Sequence, residues 1–337
     1  MKIFSKNEYG NLKSIIVGRS EYAGWPAGDN FFDCMLNIST YHSRPDKGRL
    51  PQIVIDEAKE DSDNFVKLLE SQNVKVYRPE LYNFEQKIHT PYHTTTGMSS
   101  WSTRDLLLII GDMAIECPTA FVSRQHENIV FDHIKQDAIK DGCRWISAPT
   151  PRIRKEDYNI VNNKIVLTED YPIFDAANVL RLDDKLLYLK SSTANLAGAN
   201  WLQKIVGTEY EVVVWEDVYA HAHIDSTLLS IDKNTILINA TRVKESQLPS
   251  FCKSYKKIWV NTCSAENFYK FPYASKWIGL NVLSISPETI IVDSIQKQLT
   301  KQLQDNKFKV LNVANRHSRT LGGGFHCMTC DLEREHE

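Results

Sequence analysis

Residues 174–190 read FDAANVLRLDDKLLYLK, two short apolar runs separated by a tight polar turn. The runs NVLRL and KLLYLK flank Asp183-Asp184, and this arrangement is typical of a β-hairpin. A helical stretch at 194–205 and a further apolar run, EYEVVVW, follow the hairpin. The sequence therefore predicts a unit of strand, strand, helix and strand, which is entered through the polar loop at 174–177.

The same pattern recurs along the chain at an irregular spacing of about 50–70 residues. Hairpins of this kind are predicted at LLLII–MAIEC, STLLSI–TILIN and NVLSI–TIIVD. Helical stretches at 51–72 and 293–304 lead into VKVYRP and FKVLNV, and the terminal runs LKSIIVG and HCMTCDL would form the two ends of a final unit. Five such units favour an α/β fold, a five-bladed pseudo-symmetric propeller in a single catalytic domain spanning residues 1–337.

A radial array of this kind would direct the loop before each hairpin toward a common central cavity. Asp105, Asp175, His223, Asp225 and Cys327 all lie in such loops or at their ends. Side chains that are distant in sequence would therefore converge, and their chemistry predicts an enzyme.

The composition is that of a soluble globular protein. Of the 337 residues, 42% are hydrophobic and 24% are charged, and the net charge is -2. Acidic and basic residues are interspersed, so neither nucleic acid nor an anionic membrane is indicated as a partner. No run approaches the roughly 20 apolar residues that span a bilayer. Seven scattered cysteines favour a reduced, cytoplasmic protein over a disulfide framework.

Three consecutive glycines precede a cysteine near the C-terminus. The stretch GGGFHC at 322–327 allows backbone conformations that a side chain would forbid, and it ends at Cys327. Such a cysteine is a candidate nucleophile once a nearby cation lowers its pKa from about 8.5. The alternative is a tight turn before a buried small hydrophobe. Cys327 and Cys330 also form a CxxC motif that His221 and His223 could complete as a zinc site, but no second cysteine pair supports it, so no metal is predicted.

A cysteine, a histidine and a carboxylate together form a nucleophilic constellation. Asp175 would orient the imidazole of His223, which would give a proton to a leaving group and take one from the incoming nucleophile. This pairing favours His223 over His326, the histidine beside Cys327, as the general acid and base.

Two further acids, Asp105 and Asp225, exceed what this machinery needs. Buried acids need cationic partners, and a planar guanidinium with five donors would satisfy them. Clamped between the two carboxylates, its carbon would face Cys327, and the cation would help to keep the thiol deprotonated. Attack would give an S-amidino-cysteine, which a second amine or water would release.

Each of these acids and bases also has a purely structural interpretation. Asp105 could pair with Arg104 at the start of a strand, and Asp175 could cap its loop by accepting backbone N–H groups. His223 could be a core histidine, although it alternates with Asp225 on one predicted strand face, so that the two side chains project together.

Arg242 and Ser275 also have both a functional and a structural interpretation. Arg242 either anchors the carboxylate of an amino-acid substrate or is a solvated loop arginine. Ser275 either donates to that carboxylate or caps a turn.

The motifs resemble those of the amidinotransferases. FDAAN at 174–178, HID at 223–225 and GGGFHCMTCD at 322–331 look like family motifs, and the likeness runs from end to end of the chain. The resemblance implies a five-bladed α/β propeller and a ping-pong transfer of the amidino group of L-arginine to an amine, with release of L-ornithine. It implies no cofactor, small-molecule substrates and often a homodimer.

The resemblance also assigns roles to residues. It implies that Cys327 is the nucleophile, that His223 is the general acid and base, and that Asp175 is its partner. Asp105 and Asp225 would hold the guanidinium. The other predicted substrate-binding residues are Arg242 and Ser275, at the donor carboxylate, and Arg104, Ala222 and Ala274.

The chain departs from the family near the expected acceptor site. Asn178 replaces the final acid of FDAAD, and Ala274-Ser275 replaces a pair of serines. Ala220-His221-Ala222 replaces the Asn-Pro-Met of the glycine-using enzymes. These changes predict an acceptor other than glycine, such as a larger amino acid or a biosynthetic intermediate.

Two other functions are compatible with the sequence. The first is a guanidine-modifying hydrolase of the arginine deiminase or dihydrolase type, in which water takes the place of the acceptor amine. Such hydrolases tend to pair the histidine with glutamate, whereas this chain has Asp175. The second is a non-catalytic or metal-binding module built on His221, His223, Cys327 and Cys330.

Overall fold

In the part of the chain that the structure describes, five three-stranded sheets with one common strand order form the framework. The computed structural model describes residues 1–38, 46–216, 218 and 221–335. In each sheet the middle strand pairs antiparallel with one neighbour and parallel with the other. In spatial order the strands are Thr329–Glu335, Asn11–Val17 and Lys75–Tyr77 in the first sheet; Leu107–Ile110, Met113–Glu116 and Arg144–Ser147 in the second; Val179–Leu182, Lys185–Leu189 and Glu211–Trp215 in the third; Leu228–Asp232, Thr235–Asn239 and Lys256–Val260 in the fourth; and Leu283–Ser286, Thr289–Asp293 and Lys309–Val313 in the fifth.

Helices carry the chain from the middle strand of most sheets to the parallel third strand, as the sequence predicts. In the fourth sheet residues 240–255, all of them described, instead contain the two 3-10 turns Glu245–Gln247 and Ser250–Ser254. This crossover, described throughout, therefore lacks the α-helix of the predicted unit. The α-helices are Asn30–Ile38, Gln52–Ser71, Asp132–Lys140, Leu196–Val206, Lys297–Asp305 and Ser318–Leu321. Two-stranded ribbons pair Gly24–Trp25 with Gly48–Arg49, Lys87–His89 with Thr94–Thr96, and Tyr158–Val161 with Lys164–Leu167.

The first sheet joins the two ends of the chain. Asn11–Val17 pairs antiparallel with Thr329–Glu335, so the terminal runs belong to one unit, as predicted. The strand that begins two residues after Cys327 is thereby paired with the N-terminal strand.

The first and middle strands of the sheets are largely buried on both faces, which explains their continuous apolar runs, whereas the third strands are partly exposed. Every residue of Leu107–Ile110 and of Val179–Leu182 is buried. Alternation of polar and apolar residues is typical of a sheet with one solvated face, and its absence here follows from packing on both sides. Apolar side chains of neighbouring sheets share common core clusters.

Short 3-10 turns precede the first strands of four sheets and contact one another in chain order. Each turn lies at the end of a loop that leads into a sheet. These turns are Thr103–Asp105, Ala176–Asn178, Ile224–Ser226 and Lys276–Leu280. No helix among the described residues combines the length and the apolar character needed to cross a membrane.

Candidate active site

The loops before the first strands enclose a cavity of about 950 Å3. The side chains that reach it are far apart in the sequence, and the common position of their loops brings them together. The predicted site residues that line the cavity are Cys327, His223, Asp105, Asp225, Arg242, Ser275, Ala222 and Ala274.

Cys327 is held at the base of the cavity by two hydrogen bonds. Its backbone N–H donates to Oδ1 of Asn281 over 2.7 Å, and its thiol donates to Oδ2 of Asp225 over 3.0 Å. The residue is only 2% exposed. Asn281, which follows the turn Lys276–Leu280, therefore orients the cysteine, although no sequence motif singled it out.

The glycine loop is needed for this close approach. Gly322 has a φ of +76°, and a Cβ built on it would lie 2.5 Å from Cδ1 of Tyr273. A Cβ on Gly324 would lie 2.7 Å from Cβ of Asn281. A side chain at either position would push the loop away from the groups that hold Cys327.

The thiol of Cys327 is held in its protonated form in the free protein. Burial raises its pKa well above the usual value, and the charges of Asp225 and Asp105 and the hydrogen bond to Asp225 raise it further. A cation bound between these carboxylates would reverse part of this effect, because it favours the thiolate.

His223 lies between two carboxylates and keeps one nitrogen toward the cavity. Its Nε2 is 2.9 Å from Oδ2 of Asp175, and its Nδ1 is 3.5 Å from Oδ1 of Asp105. Burial lowers the pKa of His223, but the charge of Asp105 and the hydrogen bond and charge of Asp175 outweigh it and raise the pKa to about 9. The imidazole is therefore a charged acid near neutral pH.

The predicted strand that carries His223 and Asp225 is wrong in detail. His223 is the residue before the 3-10 turn Ile224–Ser226, and the strand begins only at Leu228–Asp232. Both side chains nevertheless reach the cavity, because the tight turn brings them to the same side.

Asp105 pairs with an arginine other than the one that the sequence suggested. Nη1 of Arg124 donates to Oδ2 of Asp105, and the rest of that guanidinium contacts Glu127 and the backbone carbonyl of Ser102. Oδ1 of Asp105 faces His223 and has no hydrogen-bond partner among the described residues. Burial raises the pKa of Asp105, although the charges of His223 and Arg124 oppose this shift.

Arg124 lines the cavity and was missed from the sequence. It lies in a loop with no recognisable motif, 19 positions after its partner Asp105. A polar residue at that position carries no signal of its own in a single sequence.

Asp225 stays ionised beside the thiol. Burial raises its pKa, but the hydrogen bond and charge of His326 and the charge of His223 outweigh burial and hold the pKa at about 2. An ionised carboxylate at this position can accept a hydrogen bond from a guanidinium as well as from Cys327.

Arg242 and Ser275 contact each other at the wall of the cavity. Nη2 of Arg242 donates to Oγ of Ser275 over 3.1 Å, and Nη1 donates to the hydroxyls of Ser226 and Thr227. Oγ of Ser275 also accepts from the backbone N–H of Trp277, so the serine caps its turn and holds the arginine at once.

Arg104 is turned away from the cavity. Its guanidinium donates to Asp331 over 2.6 Å and reaches Glu8, and its Nε donates to the backbone carbonyls of His326 and Thr329. The prediction that Arg104 contacts substrate is therefore revised: it supports the loop of Cys327 from behind, and we leave it out of the proposed substrate contacts.

The residues at which the chain departs from the family near the expected acceptor site form or support one wall of the cavity. Ala222 and Ala274 both line it, and Nδ2 of Asn178 donates to the backbone carbonyl of Ala222. Asn178 thus supports the wall from behind. Ala220, the other alanine of that segment, lies outside the described residues.

The metal-binding alternative finds no support in the geometry. The described residues contain no group of three or more histidine, cysteine or acidic side chains placed to hold a metal ion. Sγ of Cys330 donates to the backbone carbonyl of Leu107, in the interior between two sheets, and the residue does not line the cavity.

The chain belongs to the amidinotransferase family. It is 36% identical over 335 residues to inosamine-phosphate amidinotransferase 1 of Streptomyces griseus, covering 97% of this chain and 96% of the relative. It is 31% identical to the L-arginine:L-lysine amidinotransferase of Pseudomonas savastanoi pv. phaseolicola, covering 98% of this chain and 94% of the relative. No protein-family model matches the chain.

Solved structures agree with this assignment. The structure of the Streptomyces griseus inosamine-phosphate amidinotransferase superposes with a TM-score of 0.94 at 34% identity, over 99% of this chain and 97% of the other. A dimethylarginine dimethylaminohydrolase from Pseudomonas aeruginosa superposes with a TM-score of 0.61 at 16% identity, over 95% of this chain and 98% of the other. The second likeness shows a common α/β fold alone.

Proposed function

We propose that this protein transfers the amidino group of L-arginine to an acceptor amine through an amidino-cysteine at Cys327 and releases L-ornithine. One observation carries the proposal: Cys327, His223, Asp105 and Asp225 meet in one cavity. We further propose that the five sheets are the blades of one propeller, in a single catalytic domain spanning residues 1–337.

Carboxylates at the base of the cavity are suited to hold a guanidinium. Asp105 offers Oδ1, to which no described residue donates a hydrogen bond, and Asp225 is ionised beside the thiol. Guanidinium donors bind carboxylates strongly in a buried site. Arg242 and Ser275, on the cavity wall, would receive the carboxylate of the donor amino acid.

The first half of the reaction consumes the thiolate. Binding of the substrate cation favours ionisation of Cys327, whose proton passes to water in the cavity. Sγ then attacks the guanidinium carbon, and the bond from that carbon to the side-chain nitrogen of arginine breaks. The product is a cationic S-amidino-cysteine.

His223 supplies the proton that the leaving amine needs. Its Nε2–H remains hydrogen-bonded to Asp175. The proton on Nδ1, which faces Asp105 and the cavity, is therefore the one that passes to the leaving amine. The acceptor ammonium first loses a proton to water, and its free amine attacks the amidino carbon. The neutral imidazole of His223 takes the proton that the attacking nitrogen loses, and the C–S bond breaks to free the thiolate. His223 thus recovers in the second half-reaction the proton that it gave in the first.

The acceptor is proposed to be an amine larger than glycine. A cavity of about 950 Å3 lined by Ala222 and Ala274 leaves room beyond the donor. The relatives named above act, by their names, on an inosamine phosphate and on lysine, both larger than glycine.

The test is an acceptor screen with purified protein. Arginine and a panel of amines that includes lysine, glycine and aminocyclitol phosphates would be assayed for ornithine release above a water-only control. The proposal expects at least one large amine to stimulate release and Cys327→Ser to abolish it. Citrulline or urea as the sole product, with no amine dependence, would refute transfer and favour a hydrolase.

A further inference from the structure

His326, the neighbour of the nucleophile, is enclosed by two carboxylates. Its Nδ1 lies 3.1 Å from Oδ2 of Asp225, and its Nε2 lies 3.2 Å from Oε2 of Glu8. The residue is 3% exposed and does not line the cavity. The amidino-transfer chemistry described above gives it no task.

The two partners determine how many protons His326 carries. An ionised carboxylate only accepts hydrogen bonds, and a neutral imidazole has one nitrogen that is also an acceptor. In a neutral His326, one ring nitrogen would therefore point its lone pair at a carboxylate oxygen, and neither atom could donate a hydrogen bond to the other. Both contacts are satisfied together only by the imidazolium, which donates from Nδ1 and Nε2.

A buried ionic cluster keeps Glu8 charged for this purpose. Glu8 accepts from Arg181 over 2.6 Å and lies 3.4 Å from Arg104. Burial raises the pKa of Glu8, but the charges of these two arginines outweigh it and hold the pKa below its usual range. Asp331 joins the same two arginines and Arg334.

We propose that His326 is a positioning residue: a fixed imidazolium behind Asp225 that offsets the carboxylate's charge and allows the thiol of Cys327 to ionise beside it. Oδ2 of Asp225 receives both the thiol and the imidazolium. Without a cation there, the carboxylate would repel the thiolate at hydrogen-bond distance. The inference rests on the proposed role of Cys327 as nucleophile.

His326 has no free nitrogen with which to act as a base. The proton of the thiol must therefore leave through the cavity to water, and His326 keeps its own protons throughout. The charged groups around the pair are Asp225, Asp105 and His223 on the cavity side, and Glu8 and Arg104 behind the loop.

The test follows the reaction of Cys327 with iodoacetamide as a function of pH, without arginine. Peptide mass spectrometry distinguishes Cys327 from five of the other cysteines, and fragmentation of the labelled peptide distinguishes it from Cys330, three residues later. His326→Asn removes the imidazolium while Glu8 keeps its arginines, so we expect alkylation about tenfold slower near neutral pH and a profile displaced to higher pH. His317→Asn is the matched control, because His317 is 1% exposed and bonded to Glu57 but does not line the cavity; its profile should equal that of the wild type.

A His326→Asn profile that superposes on the wild-type profile would overturn the proposal. If that variant fails to fold, the wild-type protein provides the second measurement: a 15N spectrum of the histidine rings should show His326 protonated at both nitrogens at the pH of the assay, and a neutral tautomer would be decisive against the proposal. Alkylation of Cys327 requires no arginine. The alkylation test can therefore refute the role of His326 while the proposed amidino transfer stands, and the acceptor screen can refute amidino transfer while the role of His326 stands.

Discussion

Nε2 of His223 lies 2.9 Å from Oδ2 of Asp175, and this contact fixes which nitrogen of the imidazole faces the cavity. Asp175 is 1% exposed and lies behind the histidine. Its effect on the reaction is therefore exerted through His223, by orientation and by stabilising the imidazolium.

Asp175→Asn tests this relationship. We expect kcat for ornithine release to fall by about 10²–10⁴ with little change in the KM for arginine, because the acid loses its orientation and its charge partner. Asp293→Asn is the control: this aspartate is also buried, at the end of Thr289–Asp293, and does not line the cavity. An Asp175→Asn variant that keeps most of its kcat would refute the proposed role of Asp175 as the partner of His223.

The pH dependence of activity follows from His223. Its pKa is raised to about 9, so the imidazole is an acid below that pH, and the transfer rate should fall as pH rises through about 9. The raised pKa also stabilises the fold: this contribution is complete below about 6.5 and is lost as pH rises through about 9.

The stability effect is measured against His223→Gln. The difference in unfolding free energy between wild type and variant should shrink between about pH 6 and pH 9.5. A constant difference over that range would contradict the raised pKa of His223.

Arg242 is expected to recognise the carboxylate of the donor. Arg242→Gln should raise the KM for arginine by roughly tenfold to a hundredfold, the loss of a charged hydrogen bond. Agmatine, which lacks the carboxylate, provides the comparison: wild type should prefer arginine, and the variant should treat the two donors almost alike. An unchanged preference for arginine in the variant would remove Arg242 from the donor site.

Gly322→Ala should damage both stability and activity. A Cβ there would meet Tyr273 at 2.5 Å on a backbone with a φ of +76°, so we expect a loss of more than about 1 kcal/mol in the free energy of unfolding and a large loss of kcat. Gly142→Ala is the matched control, because Gly142 has a φ of +89° and nothing within 4 Å of the added Cβ. Equal effects of the two changes would show that backbone strain alone matters at Gly322.

Much of the framework could be predicted because its signals are local. Apolar runs around Asp183-Asp184 and Gly111-Asp112 predict hairpins, and the helix predicted at 194–205 after the first of them is found as Leu196–Val206. The pairing of the two termini followed from the incomplete units at each end. The 3-10 turn at Ile224–Ser226 could not be told from the start of a strand, since three residues carry too little periodicity.

Partnerships across the sequence were harder to predict. Arg104 stands beside Asp105 in the sequence, yet it turns to the buried cluster, while Arg124 makes the ion pair. Which arginine reaches a carboxylate depends on the direction of each side chain in the fold. The contacts of Asn281 with Cys327 and of Glu8 with His326 could not be predicted from the sequence for the same reason.

The most direct test of the account is the covalent state of Cys327 during turnover. The protein would be mixed with arginine, quenched in acid and digested, and the Cys327 peptide examined by mass spectrometry, with Cys327→Ser in parallel. The account predicts an amidino group on the Cys327 peptide, formed with release of ornithine and discharged when a competent amine is added. Ornithine released in excess over the protein while Cys327 stays unmodified, or released equally by Cys327→Ser, would contradict it.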